Sequence, residues 1–146
     1  MRWLARRDLT EAELRARLER AATPTEVTEA VLAHARARKW VDDERVATRT
    51  TEIAAQHKAL GTAGIDHVLE RKGVDETLRD AVLENDEEQP RATSLAAKER
   101  DRGRTAAQTA RKLAAKGYSE ESIRGALDAI YPGWEEPVPL ETDGDA

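Results

Sequence analysis

Three stretches of the chain share one spacing. Leu18 and Leu32, Leu69 and Leu83, and Leu113 and Leu127 lie fourteen positions apart, and each second leucine follows Val31, Val82 or Ala126. Gly73 and Gly117 stand four residues after Leu69 and Leu113, each followed by an apolar residue and a capping residue: Val74 and Asp75, Tyr118 and Ser119. Glycine closes a helix in the left-handed conformation without a Cβ clash, and a side-chain oxygen two residues later can cap the next helix. The unit is therefore a helix-corner-helix. Its recurrence marks an array whose neighbours bury one another's apolar faces. In the first copy Ala22 takes the place of the glycine. Thr23 is expected to cap the following helix one residue early, in a capping box running to Glu26 with Pro24 at the first helical position.

Composition limits the core that such an array can build. The 146 residues include no Phe, three Trp and two Tyr, so the interior must come from Leu, Val, Ile and Ala, and 36% of the chain is charged. Thin stacked helices suit this better than a globule around a large cavity. The absence of cysteine excludes disulfides, thiolate metal sites and a cysteine nucleophile together. Residues 1–7 contain no apolar signal core, and no apolar run approaches the roughly 18 residues of a membrane span. A soluble cytoplasmic protein is the expectation.

Charge is unevenly spread behind the net value of −5. Glu135, Glu136, Glu141, Asp143 and Asp145 lie in a tail without Lys or Arg, which leaves the rest of the chain neutral. Residues 84–88 form an acidic run, whereas residues 91–124 hold nine basic against four acidic side chains. Such a bias is either a solvated helix face or a basic surface for an anionic partner. Arg111, Lys112, Lys116 and Arg124 of the third copy are the candidates for the second reading.

No segment alternates with period two for long enough to be a strand, and apolar residues recur at helical spacing. The spacing predicts an all-α fold of tandem three-helix repeats in an elongated, curved array, with helices near 10–18, 24–39, 42–58, 62–72, 75–85, 90–102, 105–116 and 119–130. A short helix is expected before Asp8. The expected organisation is repeat one with the long helix after it over 1–57, the second helix-corner-helix and its acidic link over 58–89, repeat three over 90–133, and a disordered acidic tail over 134–146. Thr10 and Glu13 form a capping box, and Asp42 is placed to cap the helix that follows. Asp43 and Glu44 then fall in a first turn, where the helix dipole favours anions, so the acidic triplet needs no metal. Consecutive carboxylates also diverge on a helix, and no His lies near them.

Catalytic patterns are missing. His34, His57 and His67 are isolated, apart from an i,i+3 pairing of His67 with Glu70. There is no phosphate loop, no GxSxG and no HExxH, and Ser94, Ser119 and Ser122 have no base near in sequence. Neither an enzyme nor a cofactor or metal site is expected.

Four segments carry a resemblance. Residues 9–18 read Leu-Thr-Glu-Ala-Glu-Leu-Arg-Ala-Arg-Leu, residues 41–47 read Val-Asp-Asp-Glu-Arg-Val-Ala, residues 69–74 read Leu-Glu-Arg-Lys-Gly-Val, and residues 116–119 read Lys-Gly-Tyr-Ser. In order and spacing they resemble the RecX family of bacterial recombination regulators, from about Trp3 to Ile130. The resemblance implies three tandem three-helix repeats and a monomer that binds the RecA recombinase filament in its helical groove. It also implies restraint of filament assembly, strand exchange and ATP hydrolysis, with no catalytic residues. Val46 stands where the family usually has Phe, Ala22 replaces the first corner glycine, and the N-terminal extension of many members is missing. The other readings are direct single- or double-stranded DNA binding through the third copy, since each unit resembles a helix-turn-helix, and a general helical scaffold.

Overall fold

The computed structural model describes residues 9–136. The helix expected before Asp8 lies outside them, as does the tail from 137 onward. The described residues form eight helices and no strand: α1 (Glu11–Arg20), α2 (Thr25–Ala37), α3 (Asp43–Gln56), α4 (Thr62–Arg71), α5 (Glu76–Leu83), α6 (Glu88–Asp101), α7 (Ala106–Ala115) and α8 (Glu120–Ile130).

Local chemistry sets the boundaries. Thr10 caps α1 and Thr105 caps α7 in reciprocal capping boxes with Glu13 and Gln108. Asp42, Asp75 and Ser119 accept from the backbone N–H groups of Arg45, Leu78 and Ser122 at the starts of α3, α5 and α8. The corners close as six-to-one and five-to-two hydrogen-bonded turns. The N–H of Val74 reaches the Leu69 carbonyl at 3.1 Å and that of Gly73 reaches Glu70 at 2.9 Å. Tyr118 and Gly117 repeat the pattern on Leu113 and Ala114, both at 3.1 Å. Gly73 and Gly117 have φ of 84° and 88°.

The first copy obeys the same geometry, in a way that its sequence does not announce. Ala22 adopts φ 57°, and the N–H groups of Thr23 and Ala22 bond to Leu18 and Glu19 at 3.1 and 3.0 Å. The capping box expected at Thr23 is therefore not formed. Thr23 occupies the corner position of Val74 and Tyr118, and α2 starts after Pro24 without a side-chain cap. The corner hydrogen bonds hold alanine in a conformation that costs about 1–2 kcal/mol for a residue with a Cβ.

Each repeat has its own core. Leu14, Leu32, Ala35 and Val41 form the first, Ala47, Ala54, Ile65, Leu69 and Val74 the second, and Ala92, Leu95, Ala96, Leu113, Tyr118 and Ala126 the third. Of the six spacing leucines, Leu32, Leu69, Leu113 and Leu127 are buried, whereas Leu18 and Leu83 are only partly covered. Both lie at the rim of their cores, Leu83 as the last residue of a short helix that buries nothing completely. In the second repeat α3 packs on α4 and α5, and in the third α6 packs on α7 and most extensively on α8. α6 also starts earlier than expected, since Glu88 is its first residue and Pro90 sits in its first turn, where a missing N–H leaves no bond unmade. The expected acidic link therefore stops short of Glu88.

Candidate interaction surface

The repeats are joined through one junction used twice. The start of α1 docks on the corner after α4: the Thr10 hydroxyl donates to the Lys72 carbonyl, and the Glu11 N–H donates to Asp43 Oδ1 at 2.8 Å. In the same way, the start of α4 docks on the corner after α7. The Gly61 N–H donates to the Lys116 carbonyl at 2.9 Å, and the Thr62 N–H to Glu88 Oε2 at 2.8 Å. In both, a carboxylate from the first residue of a long helix satisfies an orphan N–H of the preceding repeat.

The second junction is the more fully bonded. Glu88 Oε1 also accepts from the Ser119 N–H and the Ser122 hydroxyl, both at 2.9 Å, so one side chain joins the starts of α4, α6 and α8. Burial alone would raise its pKa, but these hydrogen bonds to the charged form outweigh it and the carboxyl lies below its ordinary value. Arg91 grips Asp86 with two bonds of 2.8 Å, and the guanidinium lowers the Asp86 pKa against the opposing effect of burial. Arg91 also donates to the Leu60 carbonyl at 3.1 Å. The Tyr118 hydroxyl donates to Ala59 O at 2.6 Å. Gly61, Gly64 and Gly117 meet so closely that a Cβ on any of them would overlap the opposing backbone. At the first junction the counterpart of Ser119 is Asp75. Burial raises the Asp43 pKa, and the charges of Glu11, Asp75 and Asp42 add to it despite the bond from the Glu11 N–H.

The four basic residues singled out in repeat three do different things. Arg111 is exposed on α7. Arg124 is exposed on α8 and pairs with Glu135 at 2.8 Å, so residues 134–136 of the acidic tail fold back as a turn, with the Trp134 indole donating to Asp128 at 2.7 Å. Lys116 donates to the Lys58 carbonyl at 2.7 Å across the second junction. Lys112 pairs at 2.9 Å with Glu99, which is buried to 3% exposure.

Glu99 and its neighbours were missed by the sequence reading. Besides Lys112, the carboxylate meets Arg102 at 3.7 Å and Arg104 at 3.8 Å. The hydrogen bond from Lys112 holds its pKa below the usual value, burial opposes this, and the two arginines add to the lowering. Nothing in residues 98–104, which alternate basic and acidic side chains, distinguishes the one carboxylate that turns inward; only the α6 apolar stripe of Ala92, Leu95 and Ala96 places position 99 on the buried face.

Among the described residues no group of His, Asp and Glu could hold a metal ion, and no helix is long and apolar enough to cross a membrane. His67 and Glu70 are both exposed, 3.9 Å apart.

No family model and no curated protein matches the chain. Solved structures do. A crystal structure of RecX from Lactobacillus salivarius superposes with a TM-score of 0.78 at 15% identity, over 88% of this chain and 90% of that one. A crystal structure of regulatory protein RecX superposes with a TM-score of 0.74 at 24% identity, over 86% of this chain and 66% of that one. The tandem helical repeats, their doubled junction and these superpositions together establish that the chain has the RecX-like fold, the fold of a regulatory protein.

Proposed function

We propose that this protein is a regulator of homologous recombination and the SOS response that binds the RecA filament and inhibits its assembly, ATPase and strand exchange. The observation that carries the reading is the RecX-like fold along nearly the whole described chain, joined to the motifs at residues 9–18, 41–47, 69–74 and 116–119. Physical form agrees with it. A linear array of small helical units offers a continuous surface that can follow a groove across successive subunits. On this reading the protein works as a cytoplasmic monomer, without catalysis, cofactor or metal. Residues 1–57, 58–89 and 90–133 serve as successive units of the binding surface, and 134–146 as an acidic tail.

Repeat three is assigned the contact with the filament, through Arg111, Lys112, Lys116 and Arg124. Because Lys112 and Lys116 also hold internal partners, the informative variant changes only the other two. RecA's ATPase on single-stranded DNA should fall when this protein is present well below one copy per RecA. Arg111→Gln with Arg124→Gln should weaken that inhibition severalfold with the fold unchanged, since exposed charges contribute little to stability. Unaltered RecA ATPase at equimolar wild-type protein would sink the proposal, and full inhibition by the double variant at low salt would remove repeat three's basic residues from it.

A further inference from the structure

The corner between α6 and α7 concentrates more positive charge than any other described part of the molecule. Residues 98–112 hold six basic and two acidic side chains. Of the two carboxylates, Glu99 is buried beneath the cluster, with Lys112, Arg102 and Arg104 at 2.9, 3.7 and 3.8 Å. One negative charge therefore anchors three cations, and two positive charges remain uncompensated. The cations keep their outer faces in solvent, because the side chains of Arg102, Arg104 and Lys112 are 66%, 55% and 37% exposed.

The corner beneath them is held in place. The Arg104 N–H bonds to the Glu99 carbonyl at 3.0 Å. The Arg104 carbonyl accepts from the Tyr131 hydroxyl at 2.9 Å, and that hydroxyl is itself 2.8 Å from Thr109 Oγ1. Above Gly103, at φ 81°, a Cβ would meet nothing within 4 Å. The surface is thus open, cationic and fixed by both backbone and side-chain contacts. Three donors gathered on one rigid carboxylate forfeit less rotamer freedom on meeting an anion than three free side chains would.

We propose that Arg102, Arg104 and Lys112, arrayed on the buried Glu99, form a phosphate-binding edge for single-stranded nucleic acid. A phosphodiester backbone fits better than a protein carboxylate because the excess charge lies in guanidinium forks, which match phosphate oxygens. Glu99 acts as the positioning residue, and the two arginines make the contact.

Anisotropy of a fluorescent single-stranded oligonucleotide, titrated with the full chain over a range of salt, tests this without RecA. Arg102→Gln with Arg104→Gln should weaken binding about tenfold at low salt and reduce the log–log salt slope by about one. Arg20→Gln with Arg71→Gln removes the same charge from exposed positions on α1 and α4 and should leave affinity and slope close to wild type. Arg102→Lys with Arg104→Lys should restore most of the slope. The proposal is overturned if the wild-type chain does not bind, if both glutamine pairs weaken binding equally, or if neither does. It is also overturned if the Arg102/Arg104 glutamine pair keeps its oligonucleotide affinity but loses RecA inhibition, which would make a protein carboxylate the partner. Since RecA is absent from the titration, failure here leaves the regulatory reading to its own ATPase test.

Discussion

Gly117 meets two requirements at once. Its φ of 88° belongs to the left-handed region, and a Cβ there would overlap the backbone of Gly64. Gly103, at φ 81°, meets only the first, with open space around its missing side chain. Alanine at 103 should therefore cost about 1–2 kcal/mol, the strain of the conformation alone, whereas alanine at 117 should cost about 3 kcal/mol or more because the repeats must also move apart. Urea unfolding midpoints decide it, and equal losses would show that the close approach is not a constraint. This contrast marks the limit of the sequence at the residue scale. Left-handed corners were legible at 73 and 117 because glycine signals them, but Ala22, Lys39 and Ala59 take φ of 57°, 57° and 51° with no such signal. There the corner hydrogen bonds impose the conformation on an ordinary residue, as when the Trp40 N–H reaches the Ala35 carbonyl at 2.9 Å. The backbone contact between Gly64 and Gly117 joins residues far apart in the chain and leaves no local pattern to read.

At the scale of elements, the long helices contribute through their first residues. Asp43 and Glu88 begin α3 and α6 and receive equivalent N–H groups from α1 and α4, yet their environments push their pKa values in opposite directions. Glu88 binds its proton less readily in the folded chain than in the unfolded one. Like Asp86, it therefore contributes stability that is present above the ordinary carboxylate range and is lost as pH falls through the folded value. Asp43 has the opposite sign: its charged form is disfavoured by folding, so it lowers stability at neutral pH and ceases to do so once protonated. Glu88→Gln should cost about 1–3 kcal/mol at neutral pH by leaving a donor unsatisfied. Asp43→Asn keeps an acceptor for the Glu11 N–H and should raise the melting temperature at neutral pH, by a margin that shrinks on acidification. Melting curves from about pH 7 to about pH 3 test both signs, and a stabilising advantage of Asp43→Asn that grows in acid would refute the assignment. The sequence showed Asp42 as a cap and Asp43 as a first-turn anion, which is true within α3. It could not show that each long helix also caps its neighbour, nor that Glu88 belongs to α6 and not to a solvated acidic link, because both depend on contacts between repeats.

Over the whole molecule, the all-helical class and the repeat order were legible from spacing alone, because each unit carries its own leucines and corner. The candidate basic surface was legible only as a charge excess. Its division into residues that hold the fold (Lys112, Lys116) and exposed ones (Arg111, Arg124) depends on Glu99 and the Lys58 carbonyl, which sequence spacing does not bring near. With a separate core in each repeat, stability should follow a nearest-neighbour pattern in which the junctions set how far an opening spreads. The two junctions are unequal. The first rests on the Thr10 hydroxyl, a disfavoured Asp43 charge and a Lys72–Glu13 pair at 3.5 Å, whereas the second adds the three bonds of Glu88, the Arg91–Asp86 pair, Tyr118 and the interlocked glycines. Opening should accordingly begin in repeat one and stop at α3. Hydrogen exchange at neutral pH should show the amides of α1 and α2 exchanging well before those of α6, α7 and α8, and Asp43→Asn should narrow the gap by protecting α1. Uniform protection along the chain, or earlier exchange in repeat three, would mean that the cores couple beyond their neighbours and that the junction chemistry does not govern the order of opening.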